Sequence, residues 1–202
     1  MHGLRGPPRF IRLQINYVLG SDDDAPLLPE HYDPVAEMMF LGRMVHAVFD
    51  VRGVISYFNP NGEVLRDRAS FRWRWDRCTR QSLMPLPLWI NIRFFHLDGG
   101  ILFMDTVGNA QLAVRDVEAV FPAEKYQPDD VYDYLCNVIL YLLEKDGEMR
   151  TGNVCDGPKE NTLSWRVEAL DRGLVAPPRR VLRLYPNDAR AAVYKALTDG
   201  GA

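Results

Sequence analysis

Side chains able to do chemistry are few in this 202-residue chain, and they are scattered. His2, His31, His46 and His96 have no spacing that would put two imidazoles on one helix face, as a zinc site requires. Cys78, Cys136 and Cys155 are odd in number and lack a CxxC pair, so neither a disulfide framework nor a zinc knuckle is indicated. None of Ser21, Ser56, Ser70, Ser82 and Ser164 sits between glycines as a nucleophile elbow demands. The phosphate-cradling patterns GxxxxGK[ST] and GxGxxG are missing. Only Lys125, Lys145, Lys159 and Lys195 accompany the arginines, and arginine, protonated at any working pH, is a poor general base. The expectation is a non-enzymatic protein with no catalytic residue, no metal and no cofactor.

Charge is concentrated in three places, each a candidate partner-binding surface. Asp22, Asp23 and Asp24 with Glu30 form an acidic loop; they lack the alternating ligands and distal Glu of a calcium loop. Asp129, Asp130 and Asp133 crowd the start of a helical segment, where carboxylates complement the macrodipole. The rival patch is the stretch 66–80. It holds Arg72, Trp73, Arg74, Trp75 and Arg77 and has a local charge of +4. Arg with Trp is the composition of interface hot spots and of single-stranded nucleic-acid platforms, and equally of a core-facing aromatic row with a solvated basic side.

The elements that would carry these groups follow from periodicity. Ile11, Leu13, Ile15, Tyr17 and Leu19 alternate as in a half-buried strand. Asp33 and Pro34 open a helix running towards Gly53. A hairpin is expected around Asn59–Gly62 and a second around Asp98–Gly100, joining Leu88–Leu97 to Ile101–Val107. The stretch 66–80 stays open between strand and other structure, because Phe71, Trp73 and Trp75 alternate as in a strand while no turn residue interrupts Glu63 to Gln81. Val114–Phe121 reads as a strand, Pro128 to Lys145 as a helix stopped by Gly147, Thr162–Ala169 and Val181–Tyr185 as strands, and 187–197 as a last helix.

Helices are too few to cover every crossover of a parallel sheet. The order therefore predicts an α+β fold, a mostly antiparallel or mixed sheet packed by about three helices. No biased linker interrupts the chain, which favours a single domain over 1–202, with 1–100 and 101–202 as degenerate halves at most. Composition is that of a globular protein, 47% hydrophobic and 25% charged, and excludes a coiled coil or a disordered chain. A formal charge of -3 provides no general field towards nucleic acid or anionic lipid. Arg5, Arg9 and Arg12 precede an alternating rather than an unbroken apolar segment, so no secretory signal is expected and the compartment is read as cytoplasmic.

A family resemblance adds to this. Pro87, Leu88 and Trp89, then Asp105–Gly108, then Val117, Glu118 and Ala119 before Phe121 and Pro122, resemble the order of elements in the bacterial family called domain of unknown function 4261. The helix Val131–Leu143 and the stretch Met149–Gly157 before Leu163–Val167 continue the likeness, while Asn109, Ala110 and Gln111 stand where the family often has a further Gly. The resemblance implies an α+β scaffold without an established catalytic centre, similar to proteins found beside secreted bacterial toxins. Tyr132 and Cys136 also fit a Tyr-x-x-x-Cys pattern associated with immunity proteins. The expected function is an immunity protein that binds a cognate toxin and neutralises it by occlusion. Membrane partners are excluded, nucleic acid is disfavoured and a homodimer is compatible. The alternatives are a structural or regulatory subunit of a secretion or stress complex, or an enzyme with an unrecognised site.

Overall fold

The computed structural model describes residues 10–17, 20, 22–144, 148–159 and 164–199. The chain divides into two compact units, 1–55 and 56–202. In the first, α1 spans Pro34–Val48. The Asp33 side chain caps it by accepting the Ala36 amide at 2.9 Å, and Pro34 supplies a preset φ at the first turn. Tyr17 donates to Glu37 on this helix. The strand expected from Phe10 to Leu19 does not form over its described residues, 10–17. Residues 10–17 carry no regular structure, and Phe10 and Ile11 are exposed. Alternation selects a face only once a neighbouring strand supplies a ladder, and none of the described strands does so here.

The second unit opens with an antiparallel hairpin, β1 (Ser56–Asn59) and β2 (Val64–Asp67). Asp67 then caps α2 (Arg68–Arg80), accepting the Ser70 amide at 2.8 Å. The open stretch is therefore a helix. Phe71 and Trp75, four residues apart, share its buried face and stack at 6.1 Å, while Trp73 lies about 200° round the helix from Phe71 and is 56% exposed. A single turn, α3 (Leu86–Trp89), follows Pro85.

The six-stranded sheet is built from β3 (Asn91–His96), β4 (Ile101–Val107), β5 (Asp116–Pro122), β6 (Val154–Cys155), β7 (Trp165–Leu170) and β8 (Val181–Pro186). Its order is β3-β4-β5-β8-β7-β6, antiparallel except where β8 lies parallel to β5. The helices α4 (Pro128–Glu144) and α5 (Arg190–Asp199) complete the unit. The fold is α+β with a mixed, mainly antiparallel sheet. Five α-helical segments are present among the described residues rather than three, because α2 forms in the stretch left open and the short α3 takes the start of the strand expected over Leu88–Leu97. The ends of three expectations, at Leu19, at Lys145 with Gly147, and at Thr162 with Leu163, lie outside the described residues.

Alternation along β5 sends neighbouring side chains to opposite faces. Val120 joins Ile101, Phe103, Tyr185, Val193 and Ala196 beneath α5. Phe121 meets Tyr126 and Trp165, and Trp165 also meets Tyr134 of α4 at 5.2 Å. The sheet is thus the middle of three layers. Val131, Leu135, Ile139 and Leu142, buried at helical spacing, form the apolar stripe of α4.

A polar knot ties the first hairpin to the sheet. Asn59 and Gln111 bond each other at 2.9 Å, and both donate to the Trp89 carbonyl, at 3.1 and 2.6 Å. Gly62 fits here only because it lacks a side chain, since a Cβ would stand 1.9 Å from that carbonyl oxygen. Gly62→Ala is therefore expected to destabilise the protein by more than about 2 kcal/mol, read as a lower urea midpoint, because backbone rather than a flexible side chain blocks the methyl. An unchanged midpoint would place the hairpin elsewhere.

Candidate functional site

Two features of the second unit deserve functional scrutiny: a buried charge row across the sheet and the exposed face of α2. The row is set by register. Arg93 on β3 faces Asp105 on β4, Asp105 faces Glu118 on β5, Glu118 faces Arg183 on β8, and Arg183 faces Glu168 on β7. One charge from each of five strands therefore lines up on the face that carries α5 further along.

Like charges opposite one another destabilise a sheet, so the adjacent Asp105 and Glu118 need separate neutralisation. Both are fully buried. Arg93 grips Asp105 with two bonds, at 2.9 and 2.6 Å, and Arg179 reaches the same carboxylate at 2.5 Å. Arg183 donates twice to Glu118, at 3.0 and 2.8 Å, and the Leu174 amide donates to its other oxygen at 2.7 Å. A third buried acid, Asp116, accepts from the Thr106 hydroxyl at 2.9 Å and the Asn109 amide at 3.0 Å, with Arg179 at 3.2 Å. Glu168 accepts from Tyr185 at 2.8 Å and from Tyr194 of α5. Three buried acids thus meet Arg93, Arg179 and Arg183 charge for charge.

The segment 171–180 roofs the row. Arg179 holds it down through the carbonyls of Thr106, Val175 and Pro177, and Arg93 through that of Ala176. A Cβ at Gly173 would stand 2.6 Å from the Glu118 carboxylate, so the backbone passes directly over the charge. Bonding to Asp105 is the main influence raising the Arg93 pKa. Burial pushes Asp116 above the usual carboxylate range, against the lowering effects of Asn109, Thr106 and Arg179. The arrangement binds the sheet to its roof with paired, buried charges. What it holds is the protein itself.

The face of α2 is open. Trp73 projects from the side opposite Phe71 and Trp75, with the guanidinium carbons of Arg77 and Arg74 at 5.4 and 5.6 Å from its ring centroid. Cation–π contact of this kind fixes an aromatic in place before any partner arrives. Arg72 and Arg74 are half-buried and Arg77 is exposed. Trp75 leaves the proposed patch, because it is buried in the α2 core face.

The acidic candidates fall in different units. Asp22, Asp23, Asp24 and Glu30 are exposed in the first, in a turn where Ala25 donates to the Asp22 carbonyl at 3.0 Å. Asp129, Asp130 and Asp133 occupy the start of α4 in the second, where Asp130 is paired with Lys159 at 2.7 Å while Asp129 and Asp133 are exposed. The cysteines are not primed as nucleophiles. Burial pushes Cys136 up to about 11 and raises Cys78 and Cys155, and Cys155 hydrogen-bonds Tyr134 at 3.0 Å.

Residues 105–185, from the middle of β4 to the end of β8, match the family model described as domain of unknown function (DUF4261). Over this segment the chain is similar to that family. Comparison with curated proteins and with solved structures gives no match. The DUF4261 segment begins at Asp105 and contains Asp116, Glu118, Glu168, Arg179 and Arg183, so it encloses the whole charge row except Arg93. Within it the Asn109 side chain donates to the Thr106 hydroxyl at 3.2 Å and the Arg115 carbonyl at 3.1 Å, and Gln111 closes the knot on Trp89.

Sequence reasoning singled out no member of the row for a charge role. The available signal was a lone charge inside an apolar run, Asp105 in ILFMDTV and Arg183 in VLRLY, where a solvated charge would break the pattern.

Asp105→Asn is expected to cost about 3–5 kcal/mol in urea unfolding, because it leaves two buried guanidiniums undercompensated. Asp116→Asn, at a site where burial already disfavours the charge, should cost less, about 1–2 kcal/mol. The folded pKa of Asp116 lies above its unfolded one, so its contribution is fully present below the unfolded value and is lost as pH rises through the folded value. The native protein's advantage over Asp116→Asn should accordingly shrink as pH rises from about 4 towards neutrality, which pH-resolved unfolding would measure.

Proposed function

We propose that this protein is an immunity protein: a non-catalytic binder that neutralises a cognate bacterial toxin in the cytoplasm by covering it. The observation that carries the reading is Trp73, a large aromatic left 56% exposed and clamped between Arg74 and Arg77. Tryptophan and arginine are the residues most enriched among interface anchors, and a side chain already held in its bound position loses little freedom on docking. The partner surface that fits is an apolar depression rimmed by carboxylates. Support for recognition over catalysis comes from the buried acids, each committed to charge-assisted bonds within the fold.

Of the three charged surfaces, α2 suits a high-affinity contact best, since Asp22, Asp23 and Asp24 offer short solvated carboxylates without an aromatic anchor. Those carboxylates, or Asp129 and Asp133, would steer a basic toxin from a distance rather than hold it.

The test is co-expression with a toxin encoded beside this gene. Relief of growth arrest supports the reading, and failure to relieve it favours a structural or regulatory subunit. Trp73→Ala and Arg77→Glu should each weaken toxin binding at least about tenfold while leaving stability within about 0.5 kcal/mol, as for exposed positions. Reversing Asp22, Asp23 and Asp24 together should slow association and leave dissociation unchanged. Undiminished affinity in Trp73→Ala would remove α2 from the interface.

A further inference from the structure

The β3 edge of the sheet carries an inference independent of α2. Leu97 donates its amide to the Ile101 carbonyl at 2.9 Å, which makes this pair a hydrogen-bonded one at the mouth of the β3–β4 hairpin. Antiparallel ladders alternate bonded and non-bonded pairs. With the observed register, Phe95 and Arg93 turn their main-chain groups towards β4, and Ile92, Phe94 and His96 turn theirs away from it. The other side of β4 agrees: Ala123 donates to the Gly100 carbonyl at 3.0 Å, so the residues of β4 that face β5 are not those that face β3.

β3 is an end strand, and among the described residues no backbone bond reaches its outer side. Protein edges are usually blunted by lysine, proline, a bulge or an inward-pointing charge. Asn91–His96 has no lysine or proline, its register with β4 is unbroken, and its one formal charge, Arg93, is spent on Asp105. Phe94 is 42% exposed and rests edge-on against His96, ring centroids 5.0 Å apart.

We infer that β3 is a self-association edge: a second copy of this chain docks antiparallel along Asn91–His96, continuing the sheet through a twofold axis at Phe94. The strand is complementary to itself in this register. Phe94 meets the Phe94 of the other copy, and Ile92 lies opposite His96. The main-chain groups of Ile92, Phe94 and His96 in each copy satisfy those of the other. On the reverse face, Arg93 lies opposite Phe95, a pairing already made within one chain, where the Arg93 guanidinium stands 5.6 Å from the Phe95 ring centroid. No like charges oppose one another. A partner of different sequence would need to reproduce this pattern; a copy does so by symmetry.

Amide hydrogen exchange over a concentration series of the full chain tests this directly, alongside sedimentation. The expected result is protection of the Ile92, Phe94 and His96 amides that grows with protein concentration, while Arg93 and Phe95 are protected throughout. Sedimentation should show a monomer–dimer equilibrium. Phe94→Lys, a change at an exposed position that sets a like charge against itself across the axis, should raise the dissociation constant at least about tenfold without altering the melting temperature appreciably. Three outcomes overturn the inference: outer-edge amides that exchange equally fast at a hundredfold higher concentration, a dimer unaffected by Phe94→Lys, or protection of those amides only when a different protein is added. Because this readout needs no toxin, it can fail while the α2 reading stands, and the reverse.

Discussion

The second unit depends on bringing charges from five strands into one row and closing it from water. Removing a carboxylate from water costs several kcal/mol unless bonds of comparable strength replace its hydration, and Asp105 and Glu118 sit on neighbouring strands where their charges repel. The fold answers with three arginines from two distant parts of the chain. Arg93 comes from the hairpin partner of β4, and Arg179 and Arg183 arrive after the excursion through α4, β6 and β7. Shifting β8 by one residue against β5 would turn Arg183 to the other face and strand Glu118. Charge pairing therefore specifies register where apolar strands such as β5 and β8 could otherwise slide.

The same constraint explains the irregular segments. The stretch 171–180 is held by arginine bonds to its carbonyls rather than by a sheet of its own, and a residue without a side chain lets it pass over Glu118. At the C-terminal end of β4, Gly108 takes φ +117, and the backbone there is gripped by Gln111, which donates to the Gly108 carbonyl, and by Asp116, which accepts the Asn109 amide. Arginine consequently has two employments in this protein: inside, bidentate to carboxylates, and on α2, flanking a tryptophan that faces solvent. Guanidinium suits both because it is planar, permanently charged and weakly hydrated.

Much of the fold was legible in the sequence, and the reasons differ by element. The hairpin at Asp98–Gly100 was readable because Gly99 and Gly100 take the positive φ its turn requires, 71° and 74°. Helix α4 was readable from its unbroken stripe, and β7 from Trp165 and Val167. The stretch 66–80 resisted because Phe71 and Trp75 satisfy a helical period while Phe71, Trp73 and Trp75 together imitate a strand; in the structure Asp67 caps the helix at the Ser70 amide, a signal the sequence reading did not use. Residues 10–17 misled in the other direction, alternating without a neighbour to pair with. The row itself was beyond a linear reading, since it joins positions up to 90 residues apart whose opposition exists only once five strands are in register. The acidic loops and the basic helix were found because they are local in sequence, and their exposure, apart from Trp75, was the structure's to decide.

The strand order carries a consequence for biosynthesis. β8 enters the sheet between β5 and β7, so a late-made segment fills a central slot. While the nascent chain is still on the ribosome, Asp105 and Glu118 have been translated long before Arg179 and Arg183 emerge to meet them. The meander β3–β4–β5 then has Arg93 alone for Asp105 and no arginine for Glu118, and closure of the row waits on β8. Translation thus sets a timer on when this sheet can become watertight.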